Sequence, residues 1–158
     1  RLAMEHARGL VIGIGNRLRS DDGAGLQLAE ALAAEIPTLQ VLLCPQPTPE
    51  LAVVISQAGT VLFLDALSEA PGNVHTTSTP QPRLVPLQAR AVGDPTSHRL
   101  SPSGLLALSK ALYGTSPQAW QLLIPGANWS IGDQLSPRAA AACKQAMPLL
   151  RQWGAAHA

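Results

Sequence analysis

The chain has 158 residues, 46% hydrophobic and 13% charged, with a net charge of +1 and an aromatic content of 3%; this suits one compact domain with a sizeable core and excludes a disordered chain. The absence of a Lys/Arg stripe and the scarcity of aromatic rings argue against nucleic acid or an anionic membrane as partner. No apolar run approaches the roughly 20 residues of a bilayer span, the N-terminal RLAMEHARGL lacks a signal-peptide core, and Cys44 and Cys143, far apart and without a C-x-x-C pattern, point to free thiols in a reducing cytoplasm.

Leu10–Ile14 reads as a short buried strand that ends among Gly13 and Gly15. Ala24–Glu35 reads as a helix with an apolar stripe of Leu26, Leu28, Ala29, Leu32 and Ala33, followed by Pro37. Leu39–Cys44 is a second strand. A helix is then expected with Thr48 as N-cap, Pro49 at its first position and a close at Gly59. Thr60–Ala66 is apolar throughout except near its end, as for a strand buried on both faces. Asn73–Thr79 and Arg83–Ala89 look like more exposed strands. Ser101–Gly114 is a capped helix and Ala119–Gly126 a buried strand. The last helix starts with Ser136 as cap and Pro137 at its first position, and Pro148 should bend it or end it early.

This alternation predicts an α/β fold: a single three-layer domain, residues 1–158, with a twisted, mainly parallel sheet flanked by helices. Residues 1–8 and 154–158 are expected to be flexible ends. Sites in such sheets lie outside the carboxyl ends of the strands, so the residues that follow each strand carry the most information.

After the first strand comes GIGNRLRSDDGAG, Gly13–Gly25. It begins like a dinucleotide fingerprint, but Leu18 stands where the third glycine belongs, and Cys44-Pro45 occupies the place of the acid expected about 20 residues on. No Walker Gly-Lys-Ser/Thr exists. Asp21 and Asp22 would repel a phosphate unless a metal lay between. One acid suffices to cap the helix near Ala24, which leaves a second carboxylate for the cleft. Asp65 stands at the end of the third strand and His98 in the loop before the Ser101 helix. Asp22, Asp65 and His98 therefore make a possible set of two carboxylates and one imidazole from three strand ends. Zinc and nickel accept such donors, and three protein ligands leave positions open for water or substrate.

GIGNRLRSDDGAG resembles the N-terminal signature of the hydrogenase maturation proteases, the endopeptidases that process the large subunit of nickel–iron hydrogenases. VLFLDA (Val61–Ala66) resembles the second motif of that family and SHRLSP (Ser97–Pro102) its third, in the same order and at similar separations, over a span from about Leu10 to Leu150. The resemblance implies removal of a C-terminal peptide from a nickel-loaded precursor, with Asp22, Asp65 and His98 as the nickel-contacting and catalytic trio. It implies a supporting loop of Gly13, Gly15, Asn16, Asp21, Gly23, Gly25 and Thr48, in which Asn16 fixes the turn by side-chain hydrogen bonds and Asp21 acts as a cap. Nickel would come with the substrate rather than be held at rest. The implied partner is the large-subunit precursor, met in the cytoplasm by a monomer.

One departure from the family pattern is CPQPTPEL (Cys44–Leu51) in place of a Gly-Gly-Thr element, with only Thr48 comparable. The Thr-Pro-Glu-Leu form resembles the subgroup serving bidirectional, NAD-linked hydrogenases. An activated water is the expected nucleophile, with Asp22 as base, since no G-x-S-x-G or Cys–His signature is present. A non-catalytic nickel-binding assembly factor on the same fold is the alternative. A peptidyl-tRNA hydrolase shares the Gly13–Asn16 turn, but acids here replace the histidine it needs, and no basic face for RNA is evident.

Overall fold

The computed structural model describes residues 8–68, 81–90 and 100–158. Five strands are present among them: β1 (Gly9–Ile14), β2 (Gln40–Cys44), β3 (Thr60–Ser68), β4 (Arg83–Leu87) and β5 (Gln118–Gly126). They form one sheet in the order β2-β1-β3-β5-β4, parallel except for β4. Four helices cover it: α1 (Ala24–Glu35), α2 (Leu51–Gln57), α3 (Pro102–Tyr113) and α4 (Pro137–His157).

Successive side chains of a strand point to opposite faces, and the two cores follow that rule. Val11, Leu62, Leu64, Leu122 and Ile124 meet α1 and α4 on one face through Leu28, Leu32, Ala146 and Leu150. Leu10, Ile12, Val61 and Phe63 meet α2 and α3 on the other through Ile55, Leu105 and Leu106. Three layers result, with β1 and β3 buried on both sides. Among the described residues no helix is long and apolar enough to cross a membrane.

Local signals account for α3. Ser101 Oγ accepts from Gly104 N at 3.0 Å, and Gly114 closes α3 in the left-handed region at φ 76°, the conformation a helix end asks of glycine. Elsewhere the elements differ from expectation. α2 starts at Leu51, and Thr48 gives no side-chain cap. Instead the carbonyls of Thr48, Pro49 and Glu50 accept from the N–H groups of Leu51, Ala52 and Val53; this tight entry turn satisfies donors a cap would otherwise serve. β4 is shorter than Arg83–Ala89 and tolerates Pro86 because it is an edge strand. The strand expected at 73–79 lies outside the described residues, as do residues 1–7.

Pro148 does not end α4, which continues to His157 with Pro148 on its exposed side. A stripe of Ala139, Ala142, Ala146, Leu150 and Trp153 is buried against the sheet, and this packing outweighs one missing backbone bond. Residues 154–157 continue α4: Gly154 is buried, and the His157 ring sits 4.8 Å from that of Trp153.

The chain passes from β1 to β2 on one side and then returns to β3 on the other. The switch point of the sheet therefore lies between the carboxyl ends of β1 and β3, the crevice where ligands of open α/β sheets bind.

Candidate functional site

At that switch point a cleft of about 640 Å³ opens, lined among others by Gly15, Asn16, Asp22 and Asp65. Sheet register sets its floor. Gly13 pairs with Leu64 and Ile14 with Cys44, so Cys44 and Asp65 both stand one residue beyond the Gly13 level, on either side of β1.

Glycines let α1 approach this floor. A Cβ on Gly25 would lie 2.5 Å from the Leu64 carbonyl oxygen and 2.9 Å from that of Ile14, so only glycine allows the helix so near the ends of β1 and β3. Gly13 lies beneath the same helix, with Ala29 Cβ 2.8 Å from where its own Cβ would be. Gly15 has φ 151°, and a side chain there would run into the Asp22 carbonyl. Gly23 occupies the N-cap position of α1. The loop is tied across itself. Gly15 N donates to Cys44 O at 3.1 Å, Leu18 N to Asn16 Oδ1 at 2.9 Å, and Asn16 N to Asp22 Oδ2 at 2.8 Å. Thr48 lies just beyond Pro47, which lines the cleft.

Asp22 and Asp65 are thus brought to one cleft. Burial, and next the charge of Asp22, push the Asp65 carboxyl up to about 6 against a partial offset from the Ala66 N–H. Burial and then the charge of Asp65 raise the Cys44 thiol. Two carboxylates that repel each other in a half-buried cleft are the arrangement a cation relieves. The donor set therefore fits a divalent ion as far as it is described. Among the described residues no group of three His, Cys, Asp or Glu converges. His98 lies outside the described residues; Leu100, Ser101 and Pro102, which follow it closely, line the cleft.

Asp21 does something other than cap its own helix. α1 takes no side-chain cap, because the 3-10 turn Ser20–Gly23 offers the Asp21 carbonyl to Ala24 N. The Asp21 carboxylate is instead fully buried and faces the far end of the chain. Its Oδ2 accepts from Ala127 N (2.7 Å), Asn128 N (2.9 Å) and Ser136 Oγ (2.7 Å), and its Oδ1 from Ser136 N (2.7 Å). Ser136 Oγ in turn accepts from Ala139 N at 3.2 Å. Asp21 therefore completes the N-terminal cap of α4 from the loop that follows β1. Burial alone would raise this carboxyl; the four donors outweigh it and hold it below its ordinary value.

Sequence reasoning missed two contributors to the cleft, Arg19 and Trp129. Trp129 follows the exit of β5, and the rule applied to the ends of β1 and β3 would have found it there.

No protein-family model and no curated protein sequence matches the chain. Solved structures share its fold. It is similar to the [NiFe] hydrogenase maturation protease HybD from Thermococcus kodakarensis, with 18% identity and a TM-score of 0.69 over 93% of this chain and 99% of that one. It is also similar to the hydrogenase maturating endopeptidase HybD from E. coli, with 21% identity and a TM-score of 0.64 over 93% and 94% of the two chains. A third is the hydrogenase 2 maturation peptidase from Thaumarchaeota archaeon SCGC_AB-539-E09, with 22% identity and a TM-score of 0.63 over 92% and 97%. The chain has the fold of these proteins along nearly its whole length.

Proposed function

We propose that this chain is an endopeptidase of hydrogenase maturation, removing a C-terminal peptide from a nickel-loaded large-subunit precursor. The observation that carries this reading is the pair Asp22 and Asp65, facing one cleft at the switch point of a fold shared with proteins so named. Nickel belongs to the substrate; Asp22, Asp65 and His98 are the side chains offered to it, and the ion supplies Lewis acidity and orientation. Asp22 serves as base. Asn16 N–H holds its Oδ2, while its Oδ1 takes no hydrogen bond among the described residues and is left for a water. No serine or cysteine nucleophile is needed. The protein works as a cytoplasmic monomer that meets its substrate transiently. Its substrate on this reading is the large subunit of a bidirectional, NAD-linked hydrogenase, supported by the resemblance of Thr48–Leu51 to the subgroup serving those enzymes.

Intact-mass measurement tests the reading. Nickel-loaded precursor should lose a C-terminal peptide on incubation, and nickel-free precursor should not. Asp22→Ala, Asp65→Ala and His98→Ala should each abolish cleavage. Binding of the loaded precursor without any mass loss would instead establish a non-catalytic assembly factor.

A further inference from the structure

The cleft that gathers Asp22 and Asp65 also holds a cation. Among its described lining residues Arg19 is the cation, and no other Lys, Arg or His is found there. Its neighbour Arg17 is paired with Glu30, and Arg151 with Glu35. Arg19 makes no ion pair among the described residues. Its Nε donates a long bond, 3.4 Å, to the Trp129 carbonyl, which leaves the terminal nitrogens as a fork that suits a carboxylate.

The backbone beneath this fork is fixed. Arg19 N donates to Asn16 O and Asp22 N to Arg19 O, each at 3.1 Å. Arg19 also bridges Gly132, through Ser20 N to Gly132 O at 2.8 Å and Gly132 N to Leu18 O at 2.9 Å. Ser20 Oγ adds a bond to Ser130 O at 2.8 Å. The parallel register of the bridge makes Leu18 and Ile131 neighbours, and they are 67% and 91% exposed. On this fastened loop the two apolar side chains stand bare beside Arg19.

On the endopeptidase reading, we propose that Arg19 and Trp129 form a second subsite, which takes an acidic side chain of the precursor's tail. Leu18 and Ile131 receive the apolar residues next to it. A free multivalent anion is a poor occupant, because Asp22 and Asp65 share the cleft and repel it. A precursor that presents its nickel centre to the two aspartates and a tail carboxylate to Arg19 matches both ends.

The test uses fluorescence-labelled, nickel-loaded precursor and measures binding anisotropy and cleavage separately. Arg19→Ala should weaken binding about tenfold at low salt and far less at high salt, and the loss should fall on KM rather than kcat. Arg19→Lys should recover part of the affinity. One acidic residue of the precursor tail, changed to its amide, should weaken binding to the wild type while adding nothing to Arg19→Ala. Pairing Arg19→Glu with a lysine at that precursor position should restore affinity. The subsite is overturned if Arg19→Ala binds within about twofold of the wild type or if no acidic tail residue couples to it. A wild type that binds and shows the coupling but does not cut would defeat the endopeptidase reading and keep the subsite.

Discussion

Asp21 keeps its charge in a site closed to water because four donors from the other end of the chain converge on it, whereas Asp22 gives one oxygen to Asn16 N and turns to the cleft. Removing the first carboxylate strands three backbone N–H groups and a hydroxyl that is itself part of the α4 cap. Asp21→Ala should therefore cost about 3 kcal/mol or more of folding stability. Asp22→Ala loses one bond and relieves the repulsion on Asp65, so it should change stability by less than about 1 kcal/mol while cleavage disappears. Urea unfolding of both variants checks this, and equal midpoints would refute the division of roles. The sequence shows an acidic pair and no more. What separates the two is a set of partners more than a hundred positions away (|i−j| of 106 to 115), which no local pattern encodes.

Elements whose ends are set by neighbouring residues were legible. α1 has the expected bounds, and α3 lies between its cap Ser101 and its closing Gly114. Elements whose ends depend on packing were not: α4 outlasts Pro148 because its buried stripe continues to Gly154. Pro148 is exposed, so replacing it with Ala restores a bond to the Lys144 carbonyl and disturbs no core contact. Pro148→Ala should stabilise the protein by about 1–3 kcal/mol, read as a raised midpoint of thermal or urea unfolding; a lowered one would show that the proline fits a bend the fold requires. The approach of α1 to β1 and β3 behaves in the opposite way. Gly25→Ala sets a methyl against two carbonyl oxygens and should cost about 2–3 kcal/mol. It should also impair cleavage more than that loss of folded protein explains, because it moves Asp22 away from Asp65. A variant with full activity per folded molecule would show that the spacing of the two acids is not critical.

At the scale of the molecule, strand–helix alternation gave the layers, and the switch between β1 and β3 gave the place of the site. The order β2-β1-β3-β5-β4 itself was not legible, because nothing local states which strand returns to which side. The placing of Asp65 has a consequence for the whole fold. Its carboxyl titrates near 6 when folded, against an ordinary 3.8. Below 3.8 it is protonated in both states and contributes nothing. As pH rises from 3.8 to about 6 the unfolded chain releases this proton first, so the group progressively disfavours folding. Above about 6 the cost levels off, on the order of 2–3 kcal/mol. Asp21 acts in the opposite sense, since its carboxyl is lowered; its stabilisation is complete above 3.8 and fades only in stronger acid. Asp65→Asn should therefore stabilise the protein at about pH 8 by that amount and leave it nearly unchanged at about pH 4. Denaturation of the variant and the wild type across this range measures the difference, and a difference that stays flat between 3.8 and 6 would mean that Asp65 does not carry the shift. Nickel(II) at about pH 8 should raise the unfolding temperature of the wild type more than that of Asp65→Asn, because a cation relieves the same repulsion that the substitution removes.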